Sequence, residues 1–117
     1  MPRAESAVKK EVKEMLKGLS AWQFMPVQSG RGIQGVPDHL ACVPIKITED
    51  MVGETIGAFV GIEDKQLGKV PTAIQEWTMG QIKKAGGLTF VIDGTSKEEG
   101  NFNVIKNTLR HMFGEIK

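Results

Sequence analysis

Two acidic motifs in the middle of the chain have residue types and positions that could support metal-dependent hydrolysis. Asp38 follows Pro37 at the start of one apolar segment, and Glu63-Asp64-Lys65 ends the most apolar segment of the chain. Alternate residues of a strand project to the same face, so Glu63 and Lys65 are expected on one face and Asp64 on the other. Converging carboxylates repel each other, and a hard divalent cation removes that repulsion. Residue chemistry alone leaves two interpretations open, a metal site and a structural ion-pair cluster.

Other candidate nucleophiles and metal ligands are few. The single cysteine, Cys42, lies in an apolar segment, which favours a small buried side chain over a nucleophile. His39 and His111 have no second soft ligand at zinc spacing, so a structural zinc site is not indicated. His39 directly follows Asp38, but strand alternation turns it to the opposite face and favours a buried or supporting role.

Charge divides the chain into an acidic middle and basic flanks. The formal net charge is +1, from 15 Lys and Arg against 14 Asp and Glu. Residues 38–64 contain six acids and one base, a local charge of −5, which leaves +6 for the remainder. This pattern fits a cation site beside a polyanion site, but charge alone favours a solvated acidic hairpin. Three of the acids, Glu49, Asp50 and Glu54, have no functional assignment.

The elements that position these residues follow from hydrophobic periodicity, with turn and capping signals at their ends. An amphipathic helix over Glu5–Leu19 carries Val8, Val12, Met15, Leu16 and Leu19 on its apolar side. Three strands are predicted over Ala21–Gln28, His39–Ile47 and Ile56–Glu63, with a turn at Glu49–Thr55, and the continuous apolar character of the third predicts burial on both faces. A second helix begins at a Thr72/Gln75 capping box and ends at Gly86-Gly87. It is followed by a strand over Leu88–Ile92, an Asp93-Gly94 turn and a helix from Phe102 to Ile116.

The order α-β-β-β-α-β-α predicts an α/β fold, a central mixed four-stranded sheet flanked by helices, in a single domain over residues 1–117. The second and third strands are expected to form a hairpin. The Thr72 helix is expected to be a right-handed crossover between parallel third and fourth strands, burying Ile74, Trp77 and Ile82. Both tryptophans, Trp22 and Trp77, are interpreted as core residues.

The motifs together resemble the PD-(D/E)xK nuclease signature and, within that superfamily, most of all the VRR-NUC domain of small stand-alone phage proteins. The matching stretches are Gly35-Val-Pro-Asp38, Phe59-Val-Gly-Ile-Glu-Asp-Lys65, Gly68-Lys-Val-Pro-Thr-Ala-Ile-Gln75 and Lys84-Ala-Gly-Gly-Leu-Thr-Phe-Val-Ile92. The resemblance covers most of the chain from Glu5 to Ile92, and it implies the restriction-endonuclease-like core.

The resemblance also implies roles for particular residues. Asp38 and Glu63 would bind a catalytic Mg²⁺ or Mn²⁺, with the main-chain carbonyl of Asp64 as a further ligand. Lys65 would orient or activate the attacking water, and Gln75 matches the glutamine that the family has near its active site. Capping of the helix by Gln75 is compatible with that role.

The family also has a glutamate on its first helix, for which Glu5 fits best because its spacing from Val8 and Val12 predicts a position on the inward face, and Glu11 is the alternative. This chain departs from the common pattern by its Asp64 inside the ExK motif and by the acidic insertion around Glu49–Glu54. Five basic residues are candidates for phosphate contacts, against the alternative of a solvated surface. They are Lys9, Lys10, Lys13, Arg31 and Lys69.

The expected function is metal-dependent, structure-specific cleavage of branched double-stranded DNA, with a homodimer acting as a Holliday-junction resolvase. Two alternatives stay open: a nicking or flap nuclease without junction preference, and a DNA-binding module that has lost catalysis. The sequence has no apolar run long enough to span a bilayer and no apolar core of a signal peptide at its N-terminus. We therefore expect an intracellular protein, and the resemblance implies a phage or prophage origin and action in the cytoplasm of a bacterial host.

Overall fold

The computed structural model describes residues 4–27, 35, 37–66, 68–92 and 101–114. These residues form a mixed α/β structure with three helices and two small sheets of two strands each. None of the described helices is long and apolar enough to cross a membrane. The elements are α1 (Glu5–Gly18), β1 (Trp22–Phe24), β2 (Leu40–Cys42), a short 3₁₀ turn (Glu49–Met51), β3 (Val60–Asp64), α2 (Ala73–Lys84), β4 (Leu88–Ile92) and α3 (Asn101–Phe113).

The β3-α2-β4 unit has the parallel crossover that the sequence predicts. β3 and β4 pair in parallel, from Val60 opposite Leu88 to Asp64 opposite Ile92. The helix between them packs close to the sheet, since a Cβ added at Gly61 would lie 3.3 Å from Cδ1 of Ile82. Small residues in the strand therefore let α2 approach it directly.

Both ends of α2 are fixed by local hydrogen bonds. At the start, Thr72 and Gln75 form the predicted capping box. At the end, Gly86 has a positive φ of 93°, its N–H donates to the carbonyl of Lys83, and the N–H of Gly87 donates to the carbonyl of Ile82. These two bonds make a Schellman motif, in which a left-handed residue closes the helix at low cost only when it is glycine.

The other two strands form a separate antiparallel pair. Trp22 of β1 lies opposite Cys42 of β2, and Phe24 lies opposite Leu40. The expected hairpin between the second and third strands is therefore not the pairing found, and a single four-stranded sheet is not seen in the described residues. Both strands are shorter than predicted. β1 ends two residues before Pro26, and β2 ends two residues before Pro44, each of which lacks a backbone donor.

Few side chains are fully enclosed. The buried apolar residues among those described are Leu16, Cys42, Ile82 and Ala85. Two burial expectations are wrong: Ile74 and Trp77 of α2 are 69% and 62% exposed, and Ile62 of β3 is 49% exposed rather than covered on both faces. Burial is concentrated at the C-terminal end of α2, at Ile82 and the following Ala85, whereas Ile74 and Trp77 lie towards its N-terminal end and are exposed.

The two remaining helices flank these strands. α1 ends as predicted near Gly18, with Ser20 in the left-handed conformation at φ 59° and the N–H of Ala21 bonded to the carbonyl of Leu16. It contacts β1, and α3 contacts β4. The Asp93-Gly94 turn, the side chain of Phe102 and Ile116 lie outside the described residues.

Candidate active site

Glu63 is the centre of a polar cluster at the end of β3. Its Oε1 accepts a hydrogen bond of 2.7 Å from Nε2 of Gln75 and lies 3.6 Å from Nζ of Lys65. The Glu63 side chain is 30% exposed and that of Lys65 17% exposed, so the ion pair is partly shielded from water. Glu63 and Lys65 lie on the same face because they are two residues apart on extended backbone. The predicted juxtaposition of these two side chains is confirmed.

The capping box determines which atom of Gln75 meets Glu63. The Gln75 side-chain oxygen accepts the backbone N–H of Thr72 at 2.9 Å, and the Thr72 hydroxyl accepts the backbone N–H of Gln75 at 3.2 Å. With its oxygen held by Thr72, the amide presents its nitrogen to the carboxylate. Gln75 therefore caps α2 and donates to Glu63 with one side chain, so its capping role is compatible with a position beside Glu63.

Lys65 is anchored through its backbone as well as by its charge. Its N–H donates to the carbonyl of Ile92 at 2.6 Å, which continues the parallel pairing one residue beyond β3. Asp64, between the two charged residues, is exposed, as expected from strand alternation. The sheet thus sets the position of the ammonium group relative to Glu63.

A cleft of about 410 Å³ runs beside this cluster. One wall comes from β3, one from α2 and one from Trp22 of β1. Sequence reasoning placed Trp22 in the core, and no local signal could have assigned it to the cleft, because β1 reaches this position only through tertiary packing. The residues around the cleft are Trp22, Gly61, Ile62, Glu63, Ile74, Gln75, Thr78, Met79 and Ile82.

The other carboxylate of the sequence motif, Asp38, is not in this cluster. Asp38 is exposed and lies two residues before β2, whose sheet is separate from that of β3. The neighbouring His39 is half-buried, and its Nδ1 is buried without a hydrogen-bond partner among the described residues. The register that would bring Asp38 towards Glu63 needs pairing between β2 and β3, and the structure pairs each with another strand.

The helix-borne acids also lie outside the cluster. Glu5 is 79% exposed, rather than turned inward, and its Oε1 lies 3.6 Å from Nζ of Lys9, one helical turn away. Glu11, the alternative, is also exposed on α1. Carboxylate and carbonyl oxygens suit Mg²⁺ and Mn²⁺, so Glu63 has the right donor chemistry. However, no three His, Cys, Asp or Glu residues of the described chain lie close enough together to hold a metal ion.

The basic candidates that the structure describes divide between one helix and one loop. Lys9, Lys10 and Lys13 lie on α1, and Lys69 is exposed in the loop before α2. Arg31 lies outside the described residues. The helix therefore carries most of the predicted phosphate contacts.

Cys42 has the structural role that its apolar surroundings predict. It is buried, and its thiol donates to the carbonyl of Ala85 at 3.4 Å. Burial raises the pKa of the Cys42 thiol, which keeps it protonated and unreactive near neutral pH. The contact also joins β2 to the end of α2.

No family model, no curated protein and no solved structure matches this chain.

Proposed function

We propose that the protein is a Mg²⁺- or Mn²⁺-dependent endonuclease that hydrolyses phosphodiester bonds of branched double-stranded DNA. The observation that carries the proposal is the cluster of Glu63, Lys65 and Gln75 beside an open cleft. Glu63 contacts both Gln75 and Lys65 there, so three of the four catalytic residues implied by the VRR-NUC resemblance lie together. A partly shielded carboxylate beside a lysine, at the edge of a cleft, is a typical functional-site arrangement.

The residues of the cluster have distinct tasks in this proposal. Glu63 supplies a carboxylate ligand, and Gln75 holds that carboxylate in one orientation. Lys65 positions the attacking water or stabilises charge on the phosphate. A bound divalent ion would supply Lewis-acid stabilisation of the reacting phosphate. The resemblance adds the carbonyl of Asp64, Asp38 and Glu5 as further ligands.

The proposal extends to the fold, which would be the PD-(D/E)xK core with all four strands in one sheet. Support comes from the Cys42–Ala85 hydrogen bond, which already holds β2 against the β3-α2-β4 unit. Pairing of residues 43–47 with residues 56–60 would complete that sheet and bring Asp38 closer to Glu63. Hydrogen exchange tests it: strong protection of the Ile45 and Ile47 amides is expected, and exchange at unprotected rates would contradict the four-stranded sheet.

Cleavage of a four-way DNA junction in Mn²⁺ tests the activity. Glu63→Gln and Lys65→Ala should each lower the rate by about 10²-fold or more, the contribution expected of positioned catalytic groups. Glu76→Gln and Lys83→Ala are matched controls, since both residues are exposed on α2 outside the cluster. Wild-type rates in folded Glu63→Gln and Lys65→Ala would contradict the proposal.

The branched substrate and the homodimer are the finer part of the proposal. Two copies related by a two-fold axis would present two sites to the symmetric strands of a junction. A panel of linear, nicked, flap and four-way substrates separates this specificity from nicking or flap cleavage. A strictly monomeric protein in solution would contradict the symmetric resolvase and leave simple nuclease activity in place.

A second candidate is a DNA-binding module without catalysis. It is favoured by one observation: Glu63 already has an ion-pair partner and a hydrogen-bond donor, whereas Asp38 is exposed and apart. Thermal unfolding with Mn²⁺ distinguishes the candidates. A metal site gains stability from Mn²⁺ and loses that gain in Asp38→Asn, whereas a structural ion-pair cluster gains nothing.

A further inference from the structure

The lysines of α1 share one side of the helix. The four residues are Lys9, Lys10, Lys13 and Lys17. At about 100° per residue, their side chains fall within an arc of about 100°. Lys17 is not among the three residues of this helix for which the sequence predicts a phosphate contact. The helix instead presents one continuous stripe of positive charge, called here the lysine stripe.

The side of α1 that packs against the rest of the protein adjoins the stripe, with Leu16 about 20° from Lys9 on the helical wheel. Leu16 is buried and Val12 half-buried on that side, and the side-chain amide of Gln23 in β1 donates to the carbonyl of Lys13 at 3.1 Å. These contacts fix the rotation of the helix about its axis. Because the rotation is fixed, Lys10, Lys13 and Lys17 are exposed together.

Acidic neighbours only partly offset the stripe. Glu5 pairs with Lys9 at the N-terminal end, at an exposed position where such a pair contributes little. Glu14 borders the stripe beside Lys10 on the helical wheel. Lys13 and Lys17 have no ion-pair partner among the described residues. The C-terminal half of the stripe is therefore its most positive part.

The spacing of the stripe matches a polyanion with regularly repeated charges. Lys9, Lys13 and Lys17 are each four residues apart, so the stripe rises about 6 Å per step and about 12 Å in all. One DNA strand places a phosphate every ~3.4 Å along the duplex axis, so the stripe spans about three to four phosphates. Flexible lysine side chains can adjust to the remaining mismatch.

We propose that the lysine stripe binds the phosphate backbone of one strand of duplex DNA, with Lys17 as a contact in addition to Lys9, Lys10 and Lys13. The inference rests on the proposed function for the identity of the polyanion. α1 packs on β1, and Trp22 of β1 lines the cleft beside Glu63. α1 and β1 therefore connect the stripe to one wall of the cleft.

Salt-dependent binding of a fluorescent 20-base-pair duplex in EDTA tests the inference. Each phosphate contact contributes about 0.9 to the slope of log affinity against log salt. Lys13→Ala with Lys17→Ala should therefore lower the slope by about 1.8 and weaken binding at low salt. Glu14→Gln should strengthen binding, because it removes the acid that borders the stripe.

Two controls isolate the charge of the stripe. Lys13→Arg with Lys17→Arg keeps the charge and should keep the slope, and Lys46→Ala removes a lysine from another part of the molecule and should leave the slope unchanged. Circular dichroism checks the helix in every variant. An unchanged slope in the folded Lys13/Lys17 alanine variant would overturn the inference, as would equal losses in that variant and Lys46→Ala.

Working in EDTA separates this inference from the nuclease itself. A stripe-dependent slope without Mn²⁺-dependent cleavage supports the stripe and contradicts the enzyme. Cleavage without a stripe-dependent slope supports the enzyme and contradicts the stripe. Preference of the stripe for anionic lipid vesicles over duplex DNA would also overturn the inference.

Discussion

The β3-α2-β4 unit and the segment from Asp38 to Phe59 carry the two halves of one sequence motif, yet they differ in how they are held. The first has parallel strand pairing, a capped helix and the cluster around Glu63. The second has three residues of strand and one turn of 3₁₀ helix, with Ile45 63% exposed and Ile47 67% exposed. Local signals, a cap and a stop, define the first unit, whereas the second depends on partners distant in sequence.

The comparison indicates which of the two regions contributes more to the free energy of unfolding. Ile82 contacts both ends of the crossover, since an added Cβ at Gly61 or at Gly87 would meet its side chain. In the second segment, Cys42 is the only apolar side chain that is buried as Ile82 is. Mutations of equal size in the two regions should therefore have unequal effects.

The largest difference is expected for Ile82→Ala and Ile45→Ala. Ile82 is 6% exposed, so its truncation should cost about 2–5 kcal/mol of unfolding free energy through lost burial and a cavity. The same truncation at Ile45, which is 63% exposed in the two-sheet structure, should cost within about 0.5 kcal/mol, whereas the proposed four-stranded sheet would bury Ile45 and raise that cost. Urea unfolding measures both. Equal losses would mean that Ile45 is buried in solution and that the two regions do not differ.

A smaller effect is expected from Gly87→Ala, with Gly57→Ala as its control. A Cβ at Gly87 would lie 2.6 Å from Cγ2 of Ile82 and 3.2 Å from its carbonyl oxygen, so the backbone must shift at a cost of about 1–3 kcal/mol. A Cβ at Gly57 meets nothing within 4 Å. Thermal unfolding should show a lower Tm for the first variant alone, and a neutral Gly87→Ala would contradict the close packing of α2.

The sequence predicts the first region better than the second because the two depend on different kinds of signal. The first is set by residues close together in sequence, and the second by strand pairing between distant residues. The Thr72/Gln75 cap and the Gly86-Gly87 stop are local, and they predicted the bounds of α2 within one residue. The pairing of β2 depends on whether Trp22 or a residue of the third strand lies opposite Cys42, which alternation does not determine. In the candidate site, local spacing predicts Glu63 and Lys65 on one face, and only the family resemblance implies Gln75 near them, whereas the position of Asp38 depends on strand register.

The cap itself should contribute about 1 kcal/mol. Thr72→Ala removes the acceptor for the backbone N–H of Gln75, and the loss of such a cap typically costs ~1 kcal/mol. Thr72→Ser keeps the hydroxyl and should stay close to wild type. Chemical unfolding of the pair measures the difference. If alanine and serine variants were equally stable, the capping box would not operate in solution.

The smallest effect is a pH dependence from Cys42. Because burial raises its folded pKa, the neutral thiol stabilises the folded state, and that contribution is full below the unfolded pKa of about 8.5. It declines as pH rises through the folded pKa. Stability measured from pH 7 to 10 should fall more in wild type than in Cys42→Ala. An identical decline in the two proteins would contradict the burial of the thiol.

The shared hydrogen bonds of Gln75 restrict which residue can occupy that position. Capping boxes accept glutamate or glutamine at this site, because either can receive the N–H of the capping residue. Here the second polar atom of the side chain must donate a hydrogen bond to Glu63, and only the glutamine amide carries a hydrogen there. Glutamate would preserve the helix start but set two carboxylates against each other, raising the pKa of one. Replacing the amide nitrogen of Gln75 by an oxygen would therefore leave a residue that caps the helix but cannot donate to Glu63.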